Sequence, residues 1–590
     1  MFTLTRQNAL IVLSGIVLLA FFLRLHNAGK YGIYFDEKST LLISQGVCLE
    51  GANQKDVFTK KYFTPQEFWA PKTIADFVEA NIRGDIGNSP SYYAVLWAWM
   101  EVFGLSDLSM RLPSVLFSTF TVVLLFVFVR RHFKSDSLAL VSSGLAAIEP
   151  FFVAYSQMAR NYSMSFFLTL LATHVFLLIM EQVKQSPHNK PVGLYISYGL
   201  IFAISVLSHY LTVTVFLCHG IYALFYLRNR SAWFTLAGTA IIGLGLISLW
   251  FIFGGGKYTF QTLAYQAKFY KNIAETNPLG SPFGMILPAT IPNITKRAVP
   301  IFTDLFIFTN GLGSALIGLR NSALALLLGG VFTFLLHRSL TARTPQRPVW
   351  LQVAPTLILI AGMPVYSVVP LRFLVLSAAV PIIYLIVYHV LTKTDSQQKR
   401  LVLLMVLLTF VPTFFLLFMA WRSGHTFGIT QRYSGFSFPY VCILIAMGLK
   451  QLVAIPRGFS LPVAAVLAVQ LFFVAELLGH IYDGEQGKYT YFEKPRIENP
   501  YWYSAKQLEQ QYAQGDTILY PNMKRMIYDE KIDKTYSPVA LLDAQLVNVY
   551  LPEKATYIQR IDPDERDKIV LVKGNTGQKI TIFDLKNVRY

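Results

Sequence analysis

Charge is scarce in this chain. Only 14% of its 590 residues are Asp, Glu, Lys or Arg, against roughly 25% in soluble proteins. Acids are the rarer kind, with 33 Asp and Glu against 51 Lys and Arg. There are three cysteines: Cys218 and Cys442 fall inside apolar runs and Cys48 lies apart, so neither a disulfide framework nor a cysteine metal site is indicated. No Gly-rich phosphate cradle occurs, which disfavours a nucleotide-bound substrate. The first apolar run is not followed by a small-residue cleavage site, so it reads as a retained first span rather than a signal peptide.

What the chain has in abundance is apolar sequence. Hydrophobic residues make up 54% and aromatics 15%, and the mean hydropathy is +0.45. Apolar runs of roughly 17–23 residues recur along it, the length a helix needs to cross about 30 Å of hydrocarbon. Most are apolar all round, whereas soluble helices are amphipathic. The expected fold is a polytopic α-helical membrane protein of about thirteen transmembrane helices. The spans fall near 9–26, 112–129, 137–155, 163–180, 192–209, 211–227, 232–253, 321–337, 350–369, 373–391, 401–420, 437–453 and 459–479.

The net charge of +18 would suit nucleic acid if it were clustered. It is instead spread over alternate loops. Arg6, Arg130, Arg131, Lys134, Lys184, Lys190, Arg228, Arg230, Arg338, Arg343, Arg347, Lys393, Lys399, Arg400, Lys450 and Arg457 share one side with only Asp136, Glu181 and Asp395. That is the positive-inside pattern. The charge therefore sets topology and calls for no nucleic-acid partner. It places the N-terminus inside, and outside it places loops 27–110 and 254–320 and everything after about residue 480. "SPSYYAVLWAWMEVFG" (89–104) is short and rich in Tyr and Trp, which suits a helix lying at the interface. A span there would put Arg130–Lys134 on the wrong side. The expected organisation is a membrane domain over 1–480 and an extracytoplasmic α/β domain over 481–590. In the latter, 501–512 reads as a helix and 516–520, 568–573 and 579–585 as strands.

Chemistry-bearing residues gather on the outer side. Asp36 and Glu37 follow the first span. Adjacent helical residues do not face one another, so at most one points into a given site. Each reads either as a solvated loop acid or helix cap, or as a general base tuned by a low-dielectric boundary, with Lys38 near enough to hold it ionised. "AYSQMARNYSM" (154–164) puts Arg160 and Tyr162 at a membrane mouth. Arg160 suits phosphate through its planar fork, or anchors the helix at the headgroups. Glu149 is an acid inside a span, which points to function or to pairing with a nearby cation. "TQRYSGFSFPY" (430–440) adds Arg432 and Tyr433, and Arg372 and His209 stand at comparable depths. These groups suit one reaction. A lipid-linked sugar phosphate lies with its tail in the bilayer, Asp36 deprotonates an acceptor hydroxyl, and Arg160 and Arg432 stabilise the departing phosphate. A flippase or transporter of lipid-linked sugars is the alternative. It would favour internal repeats and broken helices at mid-membrane.

The order of these motifs resembles the GT-C membrane glycosyltransferases, in particular the bacterial relatives of protein O-mannosyltransferases and of the lipid A aminoarabinose transferase. "FDE" follows the first span, and "NSPSYYAVLWAWMEVFG…MRLPSVLF" is similar to the family's Pro-Leu-Tyr-Tyr stretch and Arg-Leu-Pro-Ser span. "AYSQMARNYSM" resembles its Tyr-Ser-Gln-Glu-Ala-Arg-X-Tyr loop, and "QRYSGFSFPY" and the strand at 515–519 complete the series. The resemblance implies an inverting transfer from a polyprenyl (undecaprenyl or dolichyl) phosphate sugar, on the outer face of an inner or plasma membrane. It casts Asp36 as base and Glu37 as its paired acid, and puts Arg160, Tyr162, Arg432 and Tyr433 around the donor phosphate. The acceptor is a glycolipid such as lipid A, a polysaccharide or a protein hydroxyl. Met158 replaces the family's Glu, and Asn88–Ser89 stand where relatives carry His-Pro or Gly-Lys. A divalent metal is therefore left open, with Asp85 the nearest acid.

Overall fold

A computed structural model describes residues 5–33, 35–49, 52–58, 60–85, 87–186, 191–280, 284–306, 319–341, 350–361, 370–484, 489, 496–521 and 542–588. Among them, nine helices are long and apolar enough to cross a membrane: Arg6–Leu25, Asp107–Phe133, Tyr162–Gln185, Arg230–Phe253, Ala323–Thr341, Leu374–Lys393, Ser396–Ser423, Gln431–Ala454 and Arg457–Asp483. A tenth is the pair Asp136–Ile148 and Pro150–Ser156, bent by 56°. The expected thirteen is thus nine or ten by length and composition. Two further expected spans coincide with shorter apolar helices, Val192–Ser208 and Tyr210–Tyr226. The span expected at 350–369 lies partly outside the described residues, where Trp350–Ala361 is helical. Large apolar side chains such as Leu18, Phe22, Phe234, Phe253 and Phe472 stand exposed on these helices, as surfaces that meet lipid do.

The bend in the tenth span has a local cause. Pro150 cannot donate to the preceding turn, so the Asp136–Ile148 helix ends and Glu149 caps the next one, its carboxylate accepting from Phe151 N at 3.3 Å. The break frees carbonyls. Buried Arg24 takes them up: Nη1 donates to Ala147 O and Nη2 to Ala146 O, both at 2.9 Å, while Nε donates to Ser118 Oγ at 2.7 Å. Glu149 lies within electrostatic reach of Arg24. The structure gives it a local task, capping the Pro150–Ser156 helix.

Outside the membrane body lies a four-stranded mixed sheet: β1 (Thr517–Pro521), β2 (Ile558–Asp562), β3 (Lys568–Val572) and β4 (Lys579–Asp584). The order is β2-β1-β3-β4, with β1 and β2 parallel and the other pairs antiparallel. Three strands and the helix Pro500–Gln511 fall within a residue of expectation. β2 and the short helix Leu542–Asn548 were not foreseen. This sheet shares one apolar core with the long segment between the first two spans, in which Leu41, Phe63, Phe68 and Tyr92 pack with Tyr501, Ile518, Tyr520 and Leu546. Buried amides join the two: Gln545 Nε2 donates to Cys48 O at 2.8 Å and to Gln54 Oε1 at 3.2 Å, and Trp69 Nε1 donates to Asn548 O at 2.9 Å.

The first loop is not a solvated strand of chain. Phe35–Ser44 is a helix with both acids in its first turn, and Glu37 points into protein. Its carboxylate is gripped two-fold by Arg111, from Nε at 2.8 Å and Nη2 at 2.7 Å, with both side chains essentially inaccessible. Arg111 spends its remaining donors on Ala28 O, Tyr31 O and Gly32 O at 2.6–2.8 Å. All five guanidinium hydrogens are satisfied. Burial alone would raise the Glu37 carboxyl, but Arg111 and the amide of Ala159, at 2.7 Å, hold it below its ordinary value. Breaking such a pair from one side leaves a buried charge, which costs about 3–5 kcal/mol. Arg111→Ala is accordingly expected to lower the unfolding midpoint of the detergent-solubilised protein far more than Arg130→Ala, whose ion pair is part-exposed. Scanning fluorimetry reads this directly, and equal midpoints would show that Glu37 is not held as described.

Candidate active site

Consecutive residues on a helix lie about 100° apart, so Asp36 and Glu37 diverge. Glu37 faces Arg111, while Asp36 is half-buried with its Oδ2 3.4 Å from Arg432 Nη1. Arg432 lies on the 3-10 turn Gln431–Ser437, which leads into Phe438–Ala454. Residues 396 positions apart in sequence thus meet at one mouth of the helical body.

The third charged group arrives on the loop after Pro150–Ser156. That loop is fixed through its backbone: Ala159 N donates to Glu37 Oε1, and Ser114 Oγ donates to Arg160 O at 3.2 Å. Next to it, Asn161 Nδ2 donates to Ser89 Oγ at 2.7 Å and Ser208 O at 2.6 Å. The Arg160 side chain then reaches Thr40 Oγ1 at 2.9 Å and Tyr93 OH at 3.4 Å. Thr40 is four residues after Asp36, hence on the same helix face. Arg160 interacts electrostatically with both Asp36 and Asp85. Its Nε is buried with no partner among the described residues.

The other sequence candidates divide. Tyr162 and Tyr433 flank His209, with ring centroids 5.9 and 5.7 Å from it, and the Arg432 guanidinium lies 4.9 Å over Tyr433. His209 is within electrostatic reach of Arg160 and Arg432, and its Nδ1 accepts from Leu211 N. Asp85 ends the Ile74–Asp85 helix and accepts from Tyr93 OH at 2.6 Å. Burial raises its carboxyl to about 6 against the opposing pull of Arg160. Asn88 closes the following turn, its N donating to Asp85 O and its O accepting from Asn81 Nδ2. Arg372 lies on Pro370–Lys393, but its side chain falls outside the described residues. Among the described residues, no group of three or more His, Cys, Asp or Glu is placed to share a metal ion.

Sequence reading missed Arg111, Thr40 and Tyr93. Thr40 was available from its i+4 spacing to Asp36. Arg111 and Tyr93 were quoted inside motifs without a task, because their partners come from other elements.

The chain's comparisons agree with this picture in part. Residues 88–253 match the family model described as dolichyl-phosphate-mannose-protein mannosyltransferase. The matched segment contains Asn88, Glu149, Arg160, Tyr162 and His209, and leaves Asp36 and Arg432 outside it. Two crystal structures of ArnT from Cupriavidus metallidurans also align. The apo form shares 13% identity over 94% of this chain and 86% of that one, with a TM-score of 0.37. The form bound to undecaprenyl phosphate shares 13% over 93% and 86%, with a TM-score of 0.35. Scores this low transfer no geometry. No curated protein matches the sequence. The family match bears out the resemblance read from the motifs: the chain carries the segment of a polyprenyl-phosphate-sugar-dependent membrane glycosyltransferase.

The turn carrying Asp85 and Asn88 depends on Gly87. Its φ is +69°, and a Cβ there would stand 2.5 Å from the Gly255 backbone. Its carbonyl accepts from Tyr210 OH at 2.7 Å and Trp250 Nε1 at 2.8 Å. Gly87→Ala is expected to cost about 1–3 kcal/mol of stability, seen as a lower unfolding midpoint. An unshifted midpoint would mean that the turn relaxes freely.

Proposed function

We propose, from the premise of a membrane glycosyltransferase fed by a polyprenyl-phosphate sugar, that this protein performs a single inverting displacement at the Asp36–Arg160–Arg432 mouth. The observation that carries the reading is the meeting of one accessible carboxylate with two guanidinium groups at the end of a helical bundle. The acceptor oxygen attacks the anomeric carbon while Asp36 removes its proton. The bond from that carbon to the phosphate oxygen breaks, and its electron pair leaves with the phosphate. Arg160 and Arg432 are placed to offset the charge that develops there, and the unpartnered Arg160 Nε is a donor left for it. Phosphate leaves well, so no second acid is required at the leaving group. Glu37, spent on Arg111, holds the helix rather than taking part in chemistry.

In this reading the two short apolar helices also span, the mouth faces the extracytoplasmic side, and the lipid tail of the donor lies along the bundle. The acceptor belongs to the same side: a glycolipid, a surface polysaccharide or a protein hydroxyl. Comparing lipid A, surface glycans and glycoproteins by mass spectrometry in cells with and without the gene identifies it.

Asp36→Asn is expected to abolish transfer from a synthetic polyprenyl-phosphate sugar while expression and unfolding midpoint stay normal; near-normal turnover would remove Asp36 as base. Arg160→Ala and Arg432→Ala are each expected to lose at least about tenfold in kcat/KM, equivalent to about 1.4 kcal/mol of transition-state stabilisation. An arginine whose loss is silent is an anchor, not a phosphate ligand.

A further inference from the structure

We propose that Asp85 and Tyr93 form a positioning pair that holds the Arg160 guanidinium against the donor phosphate. The inference deepens the reading above and rests on its assignment of Arg160 to that phosphate.

Asp85 sits where a carboxylate is least comfortable. It is the last residue of the Ile74–Asp85 helix, at the end where the backbone already presents negative potential. It is also pressed among protein atoms, and burial is what lifts its carboxyl to about 6. A turn can be closed without an acid, so two unfavourable placements call for a compensating partner. That partner comes from outside the helix. Tyr93 OH donates to Asp85 Oδ2 at 2.6 Å and accepts from Arg160 Nη1 at 3.4 Å. Carboxylate, phenol and guanidinium form one chain, with Thr40 holding the same Nη1 from the other side at 2.9 Å.

The groups that act on Asp85 are Arg160, Tyr93, Asp36 and Arg432, and it in turn acts on Tyr210. Both cations are those assigned to phosphate. Two acids thus face two arginines: Arg432 contacts Asp36 directly, and Arg160, which also feels Asp36, is linked to Asp85 by hydrogen bonds through Tyr93. A long arginine side chain has much rotamer freedom to lose. Held from two sides before the donor arrives, it presents its Nε without that loss.

The test uses full-length, detergent-solubilised protein and undecaprenyl phosphate as the probe, with affinity read by thermal shift. Asp85→Asn keeps the size of the side chain and removes its charge. It is expected to weaken binding about fivefold or more at pH 7.5, and Tyr93→Phe by a smaller factor. In the Arg160→Ala background, Asp85→Asn is expected to change nothing further, whereas in the Arg432→Ala background it keeps its full effect. The ratio of mutant to wild-type affinity cancels the titration of the phosphate itself. With the carboxyl raised to about 6, Asp85 is ionised above that pH and neutral below it. The ratio, well below one at pH 7.5, is therefore expected to rise towards one as the pH drops through about 6, which a purely structural role would not produce. If Arg160→Ala binds like wild type, the phosphate assignment fails and the inference with it. If Arg160→Ala is weak but Asp85→Asn and Tyr93→Phe bind as well as wild type or better, the assignment stands and the positioning pair is overturned. Should Asp85→Asn prove unstable, the same cycle run with Tyr93→Phe decides between these outcomes.

Discussion

A single buried ion pair ties the mouth of this protein together. Glu37 and Arg111 are both inaccessible, so each lost its hydration on folding, a penalty of several kcal/mol per ion. The geometry offsets that penalty because no charge-bearing atom is left idle. Arg111 satisfies all five of its hydrogens, and Glu37 adds the Ala159 amide. In doing so the pair fixes three separate stretches: the exit of the first helix at residues 28–32, the helix that carries Asp36, and the loop that carries Arg160. No apolar substitute of similar volume could bind three carbonyls and an amide at once. The pair is therefore better understood as a specifier of local geometry than as a source of net stability.

This explains why two acids stand side by side in a chain with so few. The helix separates them by about a quarter turn, so one can be buried for structure while its neighbour stays accessible. Asp36 does not make the close two-pronged contact that its neighbour makes. It lies 3.4 Å from a single nitrogen of Arg432, a separation at the loose end for a charge-assisted contact. A carboxylate locked like Glu37 would hold its charge too firmly to accept a proton. The contrast between the neighbours is what separates the scaffold role from the base role in the proposed reaction.

Much of this was legible in the sequence. The apolar runs, the alternating cations and the short aromatic helix at 89–104 follow from the bilayer acting as solvent, which imposes the same rules on every span. Asp36, Arg160 and Arg432 were each found as polar groups at a membrane mouth. What stayed hidden were the pairings. Arg111 reads as one cation at the head of an apolar run and Tyr93 as one more ring in an aromatic stretch, until the fold brings Glu37 and Asp85 beside them. The span count differs among the described residues because Val192–Ser208 and Tyr210–Tyr226 are apolar but shorter than the length that marks a crossing, and because the run at 350–369 is described only in part.

The division near residue 481 shows a different kind of limit. Charge rises and apolar runs stop there, and composition reads this as the start of an independent domain. Composition reports where the chain leaves lipid, however, and not where one core ends and the next begins. Across that boundary, Phe63 of the first loop pairs its backbone with Gln559 of β2, and Asn499 and Tyr550 both bond Asp107 at the start of the Asp107–Phe133 helix. Arg111 is one turn further along the same helix. The cap of the Pro500–Gln511 helix and the turn after Leu542–Asn548 are thus tied to the same helix that grips Glu37. Buried amides such as Gln545 and Gln559 carry no apolar periodicity, so no reading of runs and alternation would have found the seam. Its consequence is structural: Asn499, Tyr550 and Arg111 converge on the first turns of one helix, so the C-terminal residues and the Glu37 ion pair share a single support.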